Sequence, residues 1–446
     1  MEHGTRNTEH GPDASLASRT TAGRTRVACD SLVALASATA DGTVLFAKNS
    51  DRPAAECQPL VQAPRQQYTA GARLRCTYID LPQVAETARL IGSRPFWCWG
   101  FEHGLNEHGV AIGNHTVFTK APLSGRGLIG MDLVRLGLER GRTAEQAIEV
   151  ITALAAAHGQ GGSGYIDKDW PYHNSFLVAD RTTAFLVETS DRRWVVRRVH
   201  DVGSASNHLT IGADWDAIAA GTVEDAIAAG WWNEDTDARF DFAAAYRDTS
   251  LAPDVISSGR HQRTCALLEQ GKGRLTVGTL QRALRDHYGS PVPRRDLSPA
   301  EAEYFSVCMH ADPVGTTTAS MVARLPSDVD QPLVYWASLG SPCVSAFLPL
   351  FVDAAVPAVL SRGGERPSDD SPWWQCKRLL GIVERDWERY APRVRMQLDA
   401  LEAELMDRAA PEAVVGLPPA ARAEITATAV DTFLARVNDL ITGFGG

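Results

Sequence analysis

Hydrophobic and polar positions fall into short blocks with two different periods. "SLVALA" (31–36) is a continuous apolar run of strand length, "TADG" is turn chemistry, and "TVLFAKN" (43–49) is a second strand. Asp-Gly between two apolar runs is a strong local hairpin signal. A two-residue turn at Asp41–Gly42 sets Cys29 opposite Ala54, and a bulge or a slip of two or three positions brings Asp51 beside it. "FWCWGFEHGLNEHGVAIGNHTVF" predicts another hairpin, turning around Asn106 to Gly109. "LIGMDLVRLGLERG" carries apolar residues at helical spacing up to Gly141. "TAEQAIEVITALAAAHG" follows as a helix, with Thr143 and Gln146 placed as a capping box and Gly159 as its stop. "SFLVAD", "TAFLVET" and "WVVRRV" are three closely spaced strands, and the extended piece "GSASNHLTI" ends the run. Antiparallel strands, a helix pair and more antiparallel strands point to helices layered on sheets, not to a parallel doubly wound fold.

The two ends differ from this middle. Residues 1–28 are rich in Gly, Ser, Thr and charge and read as a flexible leader. "SRGGERPSDDSP" (361–372) has linker composition. Beyond it lie two amphipathic helical stretches with a proline break, "QCKRLLGIVERDWERYAPRVRMQLDALEAELMDRA" and "AEITATAVDTFLARVNDLI". Three regions follow: a leader over 1–28, a main domain over 29–360, and a linker with a C-terminal helical extension over 361–446. The apolar stripes of that extension suit packing on the main domain, with a homo-oligomer contact as the sharper alternative.

Composition narrows the function. The 446 residues are 44% hydrophobic and 22% charged, enough apolar material for a large core. A formal net charge of −10 without basic blocks argues against nucleic acid and anionic membranes as partners. The leader has no apolar signal segment and no run is long enough to span a bilayer, so the expected location is cytoplasmic. Eight cysteines are scattered with no CxxC pair, which disfavours a zinc ribbon and a disulfide framework. There is no phosphate loop and no dinucleotide fingerprint, and no cofactor is expected.

The candidate chemistry lies in "TRVACDSLVALASATADGTVLFAKNSDRP" (25–53). The hairpin brings a thiol, Cys29, to the same sheet edge as a cation and a carboxylate, Lys48 and Asp51. A thiol needs a base to become a nucleophile, and this stretch offers no histidine. An α-amino group, with a free pKa of about 8, is an available base if the chain begins at Cys29. The leader ending at Ala28 has the character of a removable pro-segment. The next methionine is Met131, so exposure of Cys29 requires cleavage at Ala28–Cys29.

"CDSLVAL…DGTVLFAKNSDRP" resembles the secernin and C69-type dipeptidase group of cysteine N-terminal-nucleophile (Ntn) hydrolases. The resemblance continues through "WGFEHGLNEHGVAIGN", "GMDLVRLGLER", "SNHLTIG", "LRDH", "CMHA" and "LGSPCVSAFLPLF", covering Cys29 to Phe351. Ala47 stands where the pattern has Gly, Ser31 where it has Thr, and His115 follows Asn114 where an acidic residue is common. The resemblance implies an α+β fold, a four-layer αββα sandwich. It also implies hydrolysis of an amide bond in a dipeptide or small N-acyl compound. Cys29 is then the nucleophile and its freed amine the base, with Asp51 holding the amine and Lys48 adding positive charge. Bile-salt hydrolases and penicillin V acylases, more distant cousins, carry Arg at the position of Lys48 and use two asparagines near the oxyanion. Asn114 and Asn207 match these by motif, a side-chain amide there being typically worth about 3 kcal/mol.

Blander readings stand beside these. A cysteine taken alone is more often an inert buried thiol. Asp51 before Arg52-Pro53 is also good turn chemistry, Lys48 also suits a solvated strand position, and asparagines at strand ends often serve turns. His103, His108 and His115 do not have ligand spacing, so no metal is expected there, and His310 in "CMHADP" suits either a pocket wall or a core hydrogen bond. "FWCWGF" reads as core and pocket wall. Two functional alternatives remain. One is acyl transfer to an amine from the same acyl-enzyme; the other is a non-catalytic, secernin-like interaction protein.

Overall fold

A computed structural model of the chain describes residues 28–233, 238–250, 254–312 and 314–445. The expected leader lies outside these residues up to position 27. Two antiparallel sheets carry the fold. The first is built from β1 (Ala28–Ala34), β2 (Val44–Arg52), β10 (Val202–Ala205), β12 (His310–Ala311), β13 (Gly315–Leu325), β14 (Val334–Leu339) and β15 (Leu348–Phe351), in the order β10-β1-β2-β13-β14-β15 with β12 paired to β13. The second contains β3 (Leu60–Ala63), β4 (Leu90–Ser93), β5 (His103–Asn106), β6 (Ala111–Val117), β7 (His173–Ala179), β8 (Ala184–Ser190), β9 (Arg193–Arg198) and β11 (Ala217–Ile218), in the order β11-β9-β8-β7-β6-β5-β4-β3.

The sheets lie face to face, joined by polar contacts such as Ser31 to His115 and Tyr335 to His103. Helices α1 (Gly130–Arg140) and α2 (Ala144–His158) cover the outer face of the second sheet, burying Leu133, Leu136 and Ile151 against Ile112, Phe176 and Val178. Helices α3 (Ser258–Gly271) and α4 (Val277–Leu284) cover the first sheet over β10, β1, β2 and β13. The same outer layer holds α5 (Pro372–Val383), α6 (Trp387–Arg408) and α7 (Pro419–Gly443), with α7 lying along β15. This is the four-layer αββα sandwich with C-terminal helices.

Several expected elements form as the pattern requires. α1 ends at Arg140; α2 starts on a Thr143 cap whose side chain accepts from the Gln146 amide and stops at Gly159. The second hairpin pairs Ala111 with Leu105. Three departures have physical causes. Asp41–Gly42 does not close a two-residue turn: Ala34 pairs with Leu45, and the connection holds a 3-10 turn at Ala36–Ala38. Asp41 Oδ1 accepts from the Thr43 amide and hydroxyl at 3.2 and 2.6 Å, Gly42 takes φ +71°, and Leu35 and Ala40 donate to the carbonyls of Asp201 and Leu275. The loop is thus held by neighbouring segments, and the register moves four positions, placing Cys29 opposite Ser50 and Ala28 opposite Asp51. The fourth extended piece leaves the β7–β9 run and crosses to the first sheet as β10, pairing Ser31 with Ala205. Finally, Pro392 lies inside α6; the helix break falls at Glu384–Asp386, where Asp386 caps the next helix.

Candidate active site

Strand alternation sorts the opening stretch onto two faces. Lys48 and Ser50 of β2 point between the sheets, whereas Asn49 and Asp51 point to the helical layer, as their partners show. Lys48 Nζ meets Glu102 Oε2 at 3.3 Å, and Ser50 Oγ accepts from Gln58. Asn49 is fixed by Ser320 and by the carbonyls of Leu284 and Val307. All of Asp30, Lys48, Asn49, Ser50 and Asp51 are buried.

At the end of β1 the Cys29 backbone nitrogen donates to Asn207 Oδ1 at 2.7 Å, and its Sγ accepts from the Asp51 amide at 3.5 Å. In this unbroken chain that nitrogen is an amide and occupies the position of the α-amine that cleavage would create. The path that brings Asn207 here is the crossing of β10: Ala205 sits beside Ser31, so the chain leaves β10 next to Cys29. Asn207 Nδ2 donates to the Thr116 carbonyl at 3.0 Å, and Oδ1 also accepts from Arg260 Nη2 at 2.8 Å.

Asp51 Oδ1 accepts from Thr317 Oγ1 at 2.5 Å, and its Oδ2 lies 3.8 Å from Arg260 Nη1. Arg260 also pairs with Asp30. One guanidinium therefore serves two buried carboxylates, and Asp30 Oδ1 and Asp51 Oδ2 have no hydrogen-bond partner. Burial, reinforced by Asp30 and only partly offset by Arg260, Thr317 and Lys48, pushes Asp51 up to about 7. Burial also dominates at Cys29, raising its thiol to about 12 although Lys48 pulls the other way. Glu102 and Asp51 oppose ionisation further, so at neutral pH the uncleaved chain holds a thiol, not a thiolate.

Lys48 belongs to a second buried network. Glu102 bridges it to Arg52 (3.4 Å), which also binds Glu56 (2.7 Å), the Gly164 carbonyl and the face of Tyr165. Two cations and two carboxylates balance there. Asn114 lies in this network, because β6 alternation turns it toward α1. With its amide nitrogen facing Glu102 it donates to Glu102 O and Oε2 at 2.9 and 2.8 Å. The opposite orientation gives only contacts of 3.4 and 3.8 Å to Asn174 and Met131, so the first satisfies the buried amide better. Its connection to Cys29 runs through Glu102 and Lys48. The neighbouring Gly113 leaves room for Lys48: a Cβ there would fall 2.5 Å from Lys48 Cδ.

His115 is bonded to Ser31 and Ser175 and His103 to Tyr335, and burial holds both imidazoles well below their ordinary pKa. Trp99 and Phe101 of "FWCWGF" flank Arg135 of α1; the aromatic group beside Arg52 is Phe118, Tyr165 and Tyr172. Sequence reasoning missed Arg260, Glu102 and Thr317. Arg260 left a local signal: with Thr264 and Leu268 it forms the buried stripe of α3 at i, i+4, i+8, an odd place for a cation without a partner.

The sandwich is of the Ntn type, and the family match makes the protein a cysteine hydrolase acting on amide bonds. The chain belongs to peptidase family C69, whose family model matches residues 28–399. Solved structures similar to it include a penicillin V acylase from Agrobacterium tumefaciens (14% identity, 72% of this chain and 86% of that one, TM-score 0.41). A mutant of the conjugated bile acid hydrolase from Clostridium perfringens also matches (12%, 69% and 88%, TM-score 0.38). So does the N-acylethanolamine-hydrolyzing acid amidase ortholog of Caenorhabditis elegans (11%, 68% and 96%, TM-score 0.33).

Proposed function

We propose that the protein is a dipeptidase-like member of its family, acting on dipeptides or small N-acyl compounds through an acyl-enzyme on Cys29 after cleavage of the Ala28–Cys29 bond. The observation that carries this reading is the charge balance around residue 29. Asp30 and Asp51 share Arg260, and each leaves one buried oxygen unpartnered. A free α-amino group at Cys29 supplies the donors that such a pair lacks, carrying the balancing cation when protonated and acting as the base when neutral, and Asn207 Oδ1 is already aimed at that nitrogen.

In the cycle, the neutral amine takes the Cys29 proton, which burial otherwise holds on sulfur. The thiolate attacks the carbonyl carbon. Asn207 Nδ2 has two N–H bonds, one given to Thr116 and the other free to meet the developing oxyanion. The amine returns its proton to the leaving nitrogen, then activates water to release the acyl group. Lys48 favours the thiolate, with Glu102 and Asn114 as the groups that position it. The protein works in the cytoplasm.

The test is turnover of a panel of dipeptides and N-acyl amino acids by protein whose chain starts at Cys29. Free amino acid should appear with wild type and not with Cys29→Ala. Full turnover by Cys29→Ala would defeat the reading; acyl transfer to added amines without hydrolysis would replace it by the acyl-transfer alternative.

A further inference from the structure

Away from this site, on the far side of β13, two histidines and two cysteines converge in the core. His287 follows α4, Cys308 and His310 flank Met309 at β12, and Cys343 lies in the 3-10 turn Pro342–Val344 after β14. Each offers one ligand atom, and those four atoms lie within 4.8 Å of one another. Two edges are already short: His310 Nε2 is 3.4 Å from Cys308 Sγ and 3.2 Å from Cys343 Sγ. A tetrahedral zinc with Zn–S of about 2.3 Å and Zn–N of about 2.0 Å has ligand–ligand edges of about 3.6 Å. Three separate chain segments therefore bring four soft or borderline donors to nearly the spacing one zinc ion requires.

We propose that His287, Cys308, His310 and Cys343 form a structural Zn(II) site. The ligand type favours zinc: two thiolates and two neutral imidazoles suit it, while the absence of carboxylate donors disfavours magnesium, calcium and manganese. The net charge of such a complex is zero, which suits a buried position. Binding breaks two S–H bonds, forms two Zn–S bonds and releases both protons to solvent. His287 Nε2 is buried with no hydrogen-bond partner, while His310 turns Nε2 toward both sulfurs. Trp387 closes one side of the cluster edge-on to His310 at 5.1 Å. A surface cleft of 520 Å³ lined by His287, Cys343 and Trp387 gives an ion a way in.

The site would tie the segment between α4 and β13 to the turn after β14. That segment reaches the catalytic region directly. The Met309 amide, between two of the ligands, donates to Thr317 Oγ1 at 2.8 Å, and Thr317 Oγ1 donates to Asp51. The Val307 carbonyl holds Asn49. The zinc would therefore fasten the wall on which Asp51 rests.

The experiment is metal analysis by mass spectrometry of full-length protein purified without chelators or a histidine tag. Wild type and Cys29→Ala should each carry one zinc per chain, and Cys308→Ser/Cys343→Ser should carry none. Because that variant can fail to fold, Co(II) is also exchanged into wild type. A tetrahedral d–d spectrum with a thiolate-to-cobalt charge-transfer band is expected, together with a lower Tm for the metal-stripped protein. Zinc in wild type no higher than in the double variant, a cobalt spectrum without thiolate charge transfer, or a Cys308–Cys343 disulfide in the purified protein would each overturn the assignment.

Discussion

Arg260 is the side chain on which the electrostatics of the site turn. It is fully buried and is shared by Asp30, Asp51 and Asn207. Arg260→Met should leave two carboxylates in a dry pocket without their cation and cost about 3–5 kcal/mol in urea unfolding of the Cys29→Ala protein. A loss below about 1 kcal/mol would show that the two acids are satisfied by other means. Asp51 gives a second test, with a definite sign. Its folded pKa of about 7 lies above the ordinary value of 3.8, so the folded state retains its proton longer than the unfolded one. The resulting stability is complete below pH 3.8 and is lost as pH rises through about 7. Asp132 and Glu188, both raised to about 7 by burial, act in the same window. Asp51→Asn in uncleaved protein should therefore reduce, without abolishing, the fall of Tm from pH 4 to 7; an unchanged slope would contradict the assignment.

At the scale of elements, the contact between β2 and β6 sets Lys48. Gly113→Ala places a Cβ 2.5 Å from Lys48 Cδ and 2.9 Å from Ser31 Oγ, so the lysine must move from Glu102. A displacement of this order should lower kcat by about 10²-fold with an unchanged fold, read by steady-state kinetics beside circular dichroism. An unaltered kcat would remove Lys48 from the account. This is also the scale at which the sequence was most and least informative. Periodicity and caps located α1, α2 and β7–β9 because each is decided by neighbours a few positions away. The register of β1 on β2 was not legible, because Asp201 and Leu275, far along the chain, hold the connecting loop. Asn207 was found by its motif, yet its closeness to Cys29 depends on β10 changing sheets. Arg260 showed only its buried place on α3, because Asp30 and Asn207 lie 230 and 53 positions away, and Lys48 lies 54 positions from Glu102, so the pairings themselves were not legible locally.

For the whole molecule, the C-terminal helices complete the outer layer of the first sheet. Trp373, Leu380, Phe433 and Val437 belong to the main core, Trp373 Nε1 donates to the Thr318 carbonyl, and Glu402 accepts from the Phe347 amide at 2.6 Å. A chain ending at Ser361 should lose this cover and be recovered as aggregate; a soluble, monodisperse fragment would show the helices to be an appendage. Among the described residues no helix is long and apolar enough to cross a membrane. What the whole arrangement turns on is the nitrogen of Cys29, which can act as a base only once its bond to Ala28 is cut. The most direct measurement is intact mass with N-terminal sequencing of purified wild type beside Cys29→Ala. The expected result is a wild-type chain beginning at Cys29 and a variant that retains its leader. Two chains that both keep residues before Cys29, in a preparation that turns over substrate, would contradict it.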